Sequence, residues 1–591
     1  MKKVCFLMLF VCAVGWSQTK IEGVVFDKAT QEPLPFSTIT VFGEDTHHTI
    51  TNEDGKFAVD GHIQKDSMEV RHLGFKTKIV PLTYFTDESN LFLEPDVSTL
   101  QEVVLTAGED KEYPYRLLDN IVQKYRQQGE TTSSKAFLTL TSAVRGIPLE
   151  QIEGFYNSEQ SLSGGITDLK VKSGRFGLNK SFAFYSLDNT QILSDFTFFE
   201  ETGQILPDHP GNMDYNALKR KYTVRIDDCS SCTQEEASLS FTPKNPNGRL
   251  FYGKMIVDYE KLIVKKIELG IKDPVTNALT SINETVSLTP MEIGFNIVFN
   301  PLDYGKIQYL DFSFQMNYTT ESISEIINSR TFIYFYDYNK SFEEPYFTKD
   351  ISFSNDYDKI IALQASDDFW ETNYQYPKSF NDQRSLDYMK EKGYLINYDS
   401  YIPIEDLAYA RPSVLSWQED KRFEWDHLRD ETEDVPKGIQ GDKEYKTGKS
   451  YDSPFQVLRK TSGPKGKNQI NIGYMLDMYW DWNGNRKIVG RTLMDINSSE
   501  FHHEHTRNKL IYINLLFDIY EIYRQLGNSR IKEGMTFDEM KAIYDEVYDG
   551  ANAEAKNMRK ETDHGDDLEA LRKWNGRIKS RLKIDNFALM R

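Results

Sequence analysis

The chain has 591 residues, enough for about three or four domains at roughly 100–200 residues each. Its formal net charge of -20 excludes a general nucleic-acid binder, because such proteins need a basic surface. Aromatic residues make up 13% of the chain and the mean hydropathy is -0.56, which predicts aromatic-rich cores inside a polar surface.

The first 17 residues are predicted to be a cleaved signal peptide. Lys2 and Lys3 precede an apolar run over 4–14 that is too short to cross a bilayer as a stable helix. Small residues at positions 15 and 17 place the expected cleavage before Gln18. The sequence therefore predicts an exported protein.

A lipoprotein signal, with Cys12 as the acylated residue, is the alternative for this segment. It fits less well because the branched residue Val11 stands where that signal needs a small one. No later stretch has 18 consecutive apolar residues, so no transmembrane span is expected in the mature chain.

Residues 20–95 alternate short apolar runs with turn sequences, a pattern that predicts a small β-sandwich. The run from Thr38 to Val41 alternates strictly between the two faces of a strand. Asp54-Gly55 supplies a hairpin turn, since these residues accept a positive φ.

The motifs of this segment resemble the carboxypeptidase regulatory-like domain. They are Ile21-x-Gly23-x-Val25-x-Asp27, Glu32-Pro33-Leu34-Pro35-Phe36-Ser37, Asn52-x-Asp54-Gly55-x-Phe57 and Leu73-Gly74-Phe75. The resemblance implies a non-catalytic, transthyretin-like sandwich of the seven-stranded type over 18–107. It also implies a Gram-negative protein of the periplasm or of the periplasmic face of the outer membrane.

Residues 108–345 are predicted to form a helix followed by an antiparallel meander. Pro114 suits the first turn of the helix. The apolar residues of that helix share one face: Leu117, Leu118, Ile121, Val122 and Tyr125. In the later strand 307–318, apolar residues alternate with polar ones, so the sheet is expected to have one apolar face.

This middle region also resembles the half-barrel of periplasmic lipoprotein carriers. The phrase that carries the resemblance is Tyr252-Gly253-Lys254-Met255-x-Val257-Asp258-Tyr259-Glu260-Lys261. The resemblance implies a concave apolar face that binds an acyl chain. The alternative is an ordinary core that the helix closes.

Two cysteines remain once Cys5 and Cys12 leave with the signal. Cys229 and Cys232 form a C-x-x-C, but the carboxylates of 227–228 would raise the pKa of the thiols and disfavour a redox site. One such pair supplies only two of the four zinc ligands. A structural disulfide between Cys229 and Cys232 is therefore predicted.

The last third of the chain is predicted in three parts. Residues 346–435 mix short helices and loops, and 436–470 form a mobile loop with few apolar residues. Residues 471–591 are mainly helical. The clearest helix covers 508–525, and Thr536 with Glu539 predicts a capping box that starts another.

Polar residues on the helix over 508–525 form one stripe, Asn514, Asp518, Glu521 and Gln525. Asp518 and Glu521 could act as an acid/base pair. A hydrogen-bonded stripe on a packed helix is the interpretation that we favour, because the other faces of this helix are apolar.

Three histidines, His502, His503 and His505, precede that helix. On a helix, His502 and His505 would share a face and could hold a metal ion. The H-E-x-x-H pattern fails, because position 507 is Arg, and no third ligand can be assigned. These histidines are candidates only, and no metal and no cofactor are expected.

The sequence therefore predicts a multidomain, mainly β protein: a sandwich, a helix with a meander, and a helical C-terminal region. No catalytic motif is found, so the function predicted is that of a non-enzymatic binding or assembly protein, with cell-envelope proteins or lipid as partners. The alternatives are a carrier of lipid or another apolar ligand, and a metal-dependent hydrolase that uses the histidines.

Overall fold

The structure is a computed structural model, and the residues that it describes are 19–43, 46–96, 110–179, 193, 196–200, 206–227, 229, 232, 235–275, 287–351, 356–363, 367–373, 376–396, 414–427, 469–481, 484–501 and 503–590. The predicted signal peptide, with Cys12, and positions 436–468 of the predicted mobile loop lie outside these residues. The chain divides into two compact units. One comprises 1–100, 229–235 and 374–381, and the other comprises the remaining residues.

The N-terminal segment of the first unit is a β-sandwich. Its strands are β1 (Thr19–Asp27), β2 (Thr38–Phe42), β3 (His47–Ile50), β4 (Lys56–Gly61), β5 (Ser67–Arg71), β6 (Lys78–Pro81) and β7 (Asn90–Leu93). They form two sheets, β4-β1-β7 and β3-β2-β5-β6. Residues from both sheets, including Val25, Val41 and Leu91, share one buried core. The predicted seven-stranded type of sandwich is confirmed.

The second unit begins with helix α1 (Tyr113–Arg126) and continues into a long series of strands. These strands are β8 (Thr132–Val144), β9 (Ile147–Ser161), β10 (Gly165–Leu178), β11 (Tyr222–Asp227), β12 (Glu236–Pro243), β13 (Tyr252–Asp258), β14 (Ile263–Lys272), β15 (Ser287–Asn300), β16 (Asp303–Thr319), β17 (Ser324–Tyr336), β18 (Tyr346–Phe347) and β19 (Leu395–Ile396). The short helix α2 (Tyr215–Lys221) precedes β11.

Eleven of the described strands form one large antiparallel sheet, in the order β11-β12-β13-β14-β15-β16-β17-β8-β9-β10-β19. The predicted meander corresponds to the run from β11 to β17. Strand β17 then pairs with β8, which lies far earlier in the chain. Strands β9 and β10 were not predicted, because Gly and Ser residues interrupt their apolar pattern.

Helix α1 covers one face of the large sheet, called the inner face here. Leu118 and Ile121 of the helix are fully buried in one core with the inner-face residues of the strands. A short segment over 196–199 also packs into this core: Phe196 stacks on Phe295 with ring centroids 4.1 Å apart, and Phe199 stacks on Tyr125 at 4.5 Å. The apolar inner face is thus packed against side chains of the same chain.

A smaller sheet, in the order β18-β21-β22-β20, opens the C-terminal region. Its remaining strands are β20 (Val414–Ser416), β21 (Gln469–Trp480) and β22 (Arg486–Glu500). The sequence did not predict the hairpin of β21 and β22. Eight successive residues of β21, 470–477, are buried, so the alternation that reveals a half-exposed strand is absent.

The remaining α-helices of the described residues lie almost entirely in the second unit. They are α3 (Asp356–Ala362), α4 (Asp367–Thr372), α5 (Phe380–Lys392), α6 (Arg507–Arg530), α7 (Phe537–Glu561), α8 (Leu568–Leu582) and α9 (Asn586–Leu589). The capping box of Thr536 and Glu539 at the start of α7 is confirmed. In the part of the chain that the structure describes, no helix has the length and apolar character to span a membrane.

Candidate functional site

The face of the large sheet opposite α1, called the outer face here, carries a groove of about 820 Å³. Residues of β8 and of the six strands from β12 to β17 line it. The groove therefore runs across the strands rather than along them.

Strand register explains the floor of this groove. Residues directly opposite each other on antiparallel strands point to the same face, so a chain of opposite pairs traces one line across the sheet. Such a line, called the floor row here, runs from β13 to β8 through Tyr252, Gly270, Gly294, Ser313, Arg330 and Thr141. Most of its members have small side chains, and this is why the surface is depressed along the row.

Two glycines in the middle of strands are central to the shape of the floor. A Cβ atom on Gly270 would lie 2.8 Å from the ring of Tyr252, so the tyrosine ring lies directly over this glycine. A Cβ atom on Gly294 would lie 3.0 Å from Oγ of Ser313. Glycine inside a strand is unfavourable in itself and often marks a site of close approach.

One wall of the groove is charged. Lys254 and Lys266 both pair with Glu268, at 2.9 Å and 2.6 Å between nitrogen and oxygen. Partial burial opposes ionisation of Glu268, yet the hydrogen bonds from Lys266 and Lys254 lower the pKa of this carboxyl below its usual value. Glu268 is therefore ionised and already held by two ammonium groups.

The opposite wall carries Glu292 and two side-chain amides. Nε2 of Gln315 donates a hydrogen bond to Oδ1 of Asn328 over 2.8 Å. This bond orients both amide groups and occupies the nitrogen of Gln315 and the oxygen of Asn328. The carbonyl oxygen of Gln315 and the amide nitrogen of Asn328 then provide an acceptor and a donor side by side.

Arg330 of the floor row is held in place by Asp311 of the neighbouring strand β16. Its Nε and Nη2 donate to the two carboxylate oxygens of Asp311, both over 2.8 Å. Burial raises the pKa of Asp311 to about 7, against the charge of Lys266, which lowers it. The two hydrogen bonds from Arg330 are of the kind that favours the charged carboxylate. The pair holds the guanidinium in place.

The charges of the lining are balanced, with Lys254 and Arg330 against Glu268 and Glu292. Since Glu268 and Arg330 already have partners, neither is placed as a free acid, base or nucleophile. The oriented amides and the paired charges are suited to binding by hydrogen bonds. Sequence patterns did not predict a groove here: Tyr252 and Lys254 stand out only in the carrier-like phrase, and the one local signal was glycine at positions 270 and 294 within strands.

The predicted cysteine pair lies in the connection between β11 and β12. Cys229 and Cys232 are joined by a disulfide, with Cα atoms 5.4 Å apart. Because only two residues separate them, the disulfide closes a very small loop and restricts the unfolded chain little.

The histidine candidates lie before α6 rather than on it, because the helix begins at Arg507. The ring of His505 stacks on Trp425 with centroids 4.2 Å apart, and the ring of His503 lies against Phe501 at 5.5 Å. His502 lies outside the described residues. Among the residues that are described, no group of three or more His, Cys, Asp or Glu side chains is placed to hold a metal ion.

Three residues of the polar stripe of α6, Asn514, Asp518 and Glu521, are buried and hydrogen-bonded, whereas Gln525 is exposed. Asp518 accepts hydrogen bonds from Trp417, Arg422 and Asn586 over 2.6–2.8 Å. Glu521 accepts from Thr492 over 2.8 Å and also pairs with Arg524, three residues along the helix. These contacts make both carboxylates structural, in line with the favoured interpretation of the stripe.

The floor row continues past Thr141 to Gln151 of β9. This side chain is fully buried, and neither amide atom has a hydrogen-bond partner within the described parts of the chain. A buried polar group without a partner costs about 1–3 kcal/mol.

Replacing Gln151 by Met is therefore expected to raise the free energy of unfolding by about 1–2 kcal/mol, because the thioether has no such requirement. Urea unfolding of the variant measures this. Gln315→Met, at a partly exposed amide of the groove, is the matched control and should give no gain. A loss of stability in Gln151→Met would show that the amide is paired after all.

Comparison with protein families identifies one part of the chain. The model of the CarboxypepD_reg-like domain matches residues 21–105. The N-terminal sandwich is a carboxypeptidase regulatory-like domain. The resemblance drawn from its motifs is confirmed, and this regulatory-like domain is non-catalytic.

Solved structures give more distant neighbours. The Pseudomonas aeruginosa MucA/MucB complex is 10% identical, covers 37% of this chain and 93% of that one, and has a TM-score of 0.15. A LolA superfamily protein from Nitrosomonas europaea is 12% identical, covers 38% and 92%, and has a TM-score of 0.16. TM-scores this low do not establish a common fold. No curated protein matches the chain.

Proposed function

We propose that this chain is an exported, non-enzymatic binding protein of the cell envelope, and that its ligand is hydrophilic and lies in the outer-face groove. The observation that carries the proposal is the floor row, a line of small residues between a charged wall and an amide wall. A polar groove with oriented donors and acceptors is the kind of surface that binds a polar ligand.

The proposed location rests on the sequence. The predicted signal peptide over 1–17 and the regulatory-like domain that follows it support a location in the periplasm or at the periplasmic face of the outer membrane. Envelope proteins are its proposed partners there. The proposed organisation has a sandwich over 18–107 and a helix with a meander over 108–345. Short helices and loops over 346–435, a mobile loop over 436–470 and a mainly helical region over 471–591 follow.

The packing of the inner face speaks against the alternative of a lipid carrier. A carrier needs an apolar cavity that is empty until it loads. Here α1 and the segment over 196–199 occupy the apolar face, and Leu118, Ile121 and Phe196 are buried to 2% exposure or less. The hydrolase alternative gains no support from His503 and His505, whose rings pack against aromatic side chains.

Photo-cross-linking in the native envelope tests the proposal. Benzoylphenylalanine replaces Gln315 on the amide wall, or Lys573 on the exposed surface of α8 as the control. Covalent adducts between the chain and its ligand are expected from position 315 and not from position 573. Gly294→Trp should abolish these adducts, because the indole ring fills the groove. No adduct at position 315, or adducts that Gly294→Trp leaves unchanged, would contradict a binding role for the groove.

A further inference from the structure

We infer that the ligand of the groove is a neutral oligosaccharide that lies across the strands of the large sheet. This inference rests on the proposed function and adds the chemical class of the ligand. It follows from the length and the lining of the groove and from the ligand classes that its walls disfavour.

The groove is long and shallow. From β13 to β8 the floor row crosses five strand-to-strand steps. At about 4.8 Å for each step, the floor is about 24 Å long. This length suits a linear chain of several rings better than a compact metabolite.

The floor offers an aromatic surface at one end. Tyr252 lies over Gly270 and is 40% exposed, so its ring is held against the backbone while part of it stays open to solvent. The face of an aromatic ring carries partial negative charge and attracts the weakly positive C–H groups of a sugar ring. Beyond it, Gly294 and Ser313 leave room for the next rings.

The walls offer the partners that sugar hydroxyls need. A hydroxyl both donates and accepts, so it is best met by donors and acceptors placed close together. The Gln315–Asn328 pair presents one of each, and the ammonium group of Lys254 beside the carboxylate of Glu268 presents another such set.

Other ligand classes fit the groove less well. Balanced lining charges give no net attraction for a polyanion such as nucleic acid. An extended peptide binds by pairing with a free strand edge, whereas the floor lies on the face of the sheet, where β13 to β17 and β8 are already paired on both sides. An acyl chain would take the charged and amide groups of both walls out of water without giving them hydrogen bonds.

The test uses the full-length mature chain and titration calorimetry with neutral hexasaccharides: malto-, cello-, xylo-, manno- and chito-hexaose. Dextran sulfate and a Gly-Ser peptide serve as comparison ligands. At least one neutral hexasaccharide is expected to bind saturably. Gly294→Trp, which blocks the middle of the floor, and Tyr252→Ala, which removes the aromatic surface at its end, should each weaken that binding by about tenfold or more.

Two controls separate binding from folding. Gly576→Trp makes the same change on exposed α8, where an added Cβ meets no atom within 4 Å, and should leave binding unchanged. Tyr252 is a surface side chain, so Tyr252→Ala still reports on binding if Gly294→Trp fails to fold.

Each remaining outcome has one meaning. If none of the five hexasaccharides binds, or if their binding ignores both groove variants, the oligosaccharide assignment is wrong. If dextran sulfate or the peptide binds instead and Gly294→Trp abolishes that binding, the groove is a binding site for another ligand class. If no adduct forms at position 315 in the envelope either, the proposed function fails as well.

Discussion

Replacing Leu118 by Ala is expected to lower the free energy of unfolding by about 2–5 kcal/mol. Leu118 is fully buried on the face of α1 that packs against the large sheet, among side chains such as Ile121 and Tyr125. Tyr125 is anchored by a hydrogen bond from the backbone N–H of Val264 to its hydroxyl over 2.7 Å, so the helix cannot easily move to fill the space. Urea unfolding of the full chain, followed by circular dichroism, measures the loss.

Asn120→Ala is the matched control, because Asn120 is exposed on the same helix and its truncation removes no core contact. It should leave the free energy of unfolding nearly unchanged. A carrier whose cavity adjoined α1 would tolerate Leu118→Ala with little loss. A small effect of Leu118→Ala would therefore contradict a filled inner face.

The second large effect is expected at Asp518 of α6. This carboxylate is fully buried and pairs with Arg422, which is itself 5% exposed. Asp518→Asn keeps the shape but leaves the guanidinium without its counter-charge. Removing one partner of a buried ion pair costs about 3–5 kcal/mol, so the variant should be destabilised by that amount. Thermal and urea unfolding both report it.

A double substitution makes this test specific. Arg422→Met combined with Asp518→Asn removes both charges and keeps an amide oxygen as an acceptor beside Trp417 and Asn586, so it should recover part of the stability lost in Asp518→Asn. Glu546→Gln, which breaks an exposed pair with Arg530, should have no measurable effect. An Asp518→Asn variant as stable as the wild type would show that the buried network is dispensable.

The sequence predicted the parts of the fold that depend on interactions between residues close together in the chain. The capping box at Thr536 predicts the start of α7, because the hydrogen bonds involved span only three residues. The apolar periodicity around Leu118 predicts both α1 and its buried face. The sandwich followed from turn residues and from motifs of a known family.

The groove could not be predicted in the same way. Its floor depends on which residues face each other across strands: Thr141 lies opposite Arg330, 189 positions later in the chain. A shift of one residue in that pairing would turn one strand's side chains to the other face, and sequence alone does not determine the register between such distant strands. The hairpin of β21 and β22 was missed for a different reason, because burial on both faces removed its alternation.

The filled inner face and the open outer groove are tested together by native mass spectrometry of the full chain purified from its own envelope without detergent. We expect no stoichiometric acyl ligand in the wild type. We also expect that any hydrophilic ligand retained by the wild type is absent from Gly294→Trp. One acyl ligand per chain, retained in both proteins, would contradict the filled inner face and restore the lipid-carrier alternative.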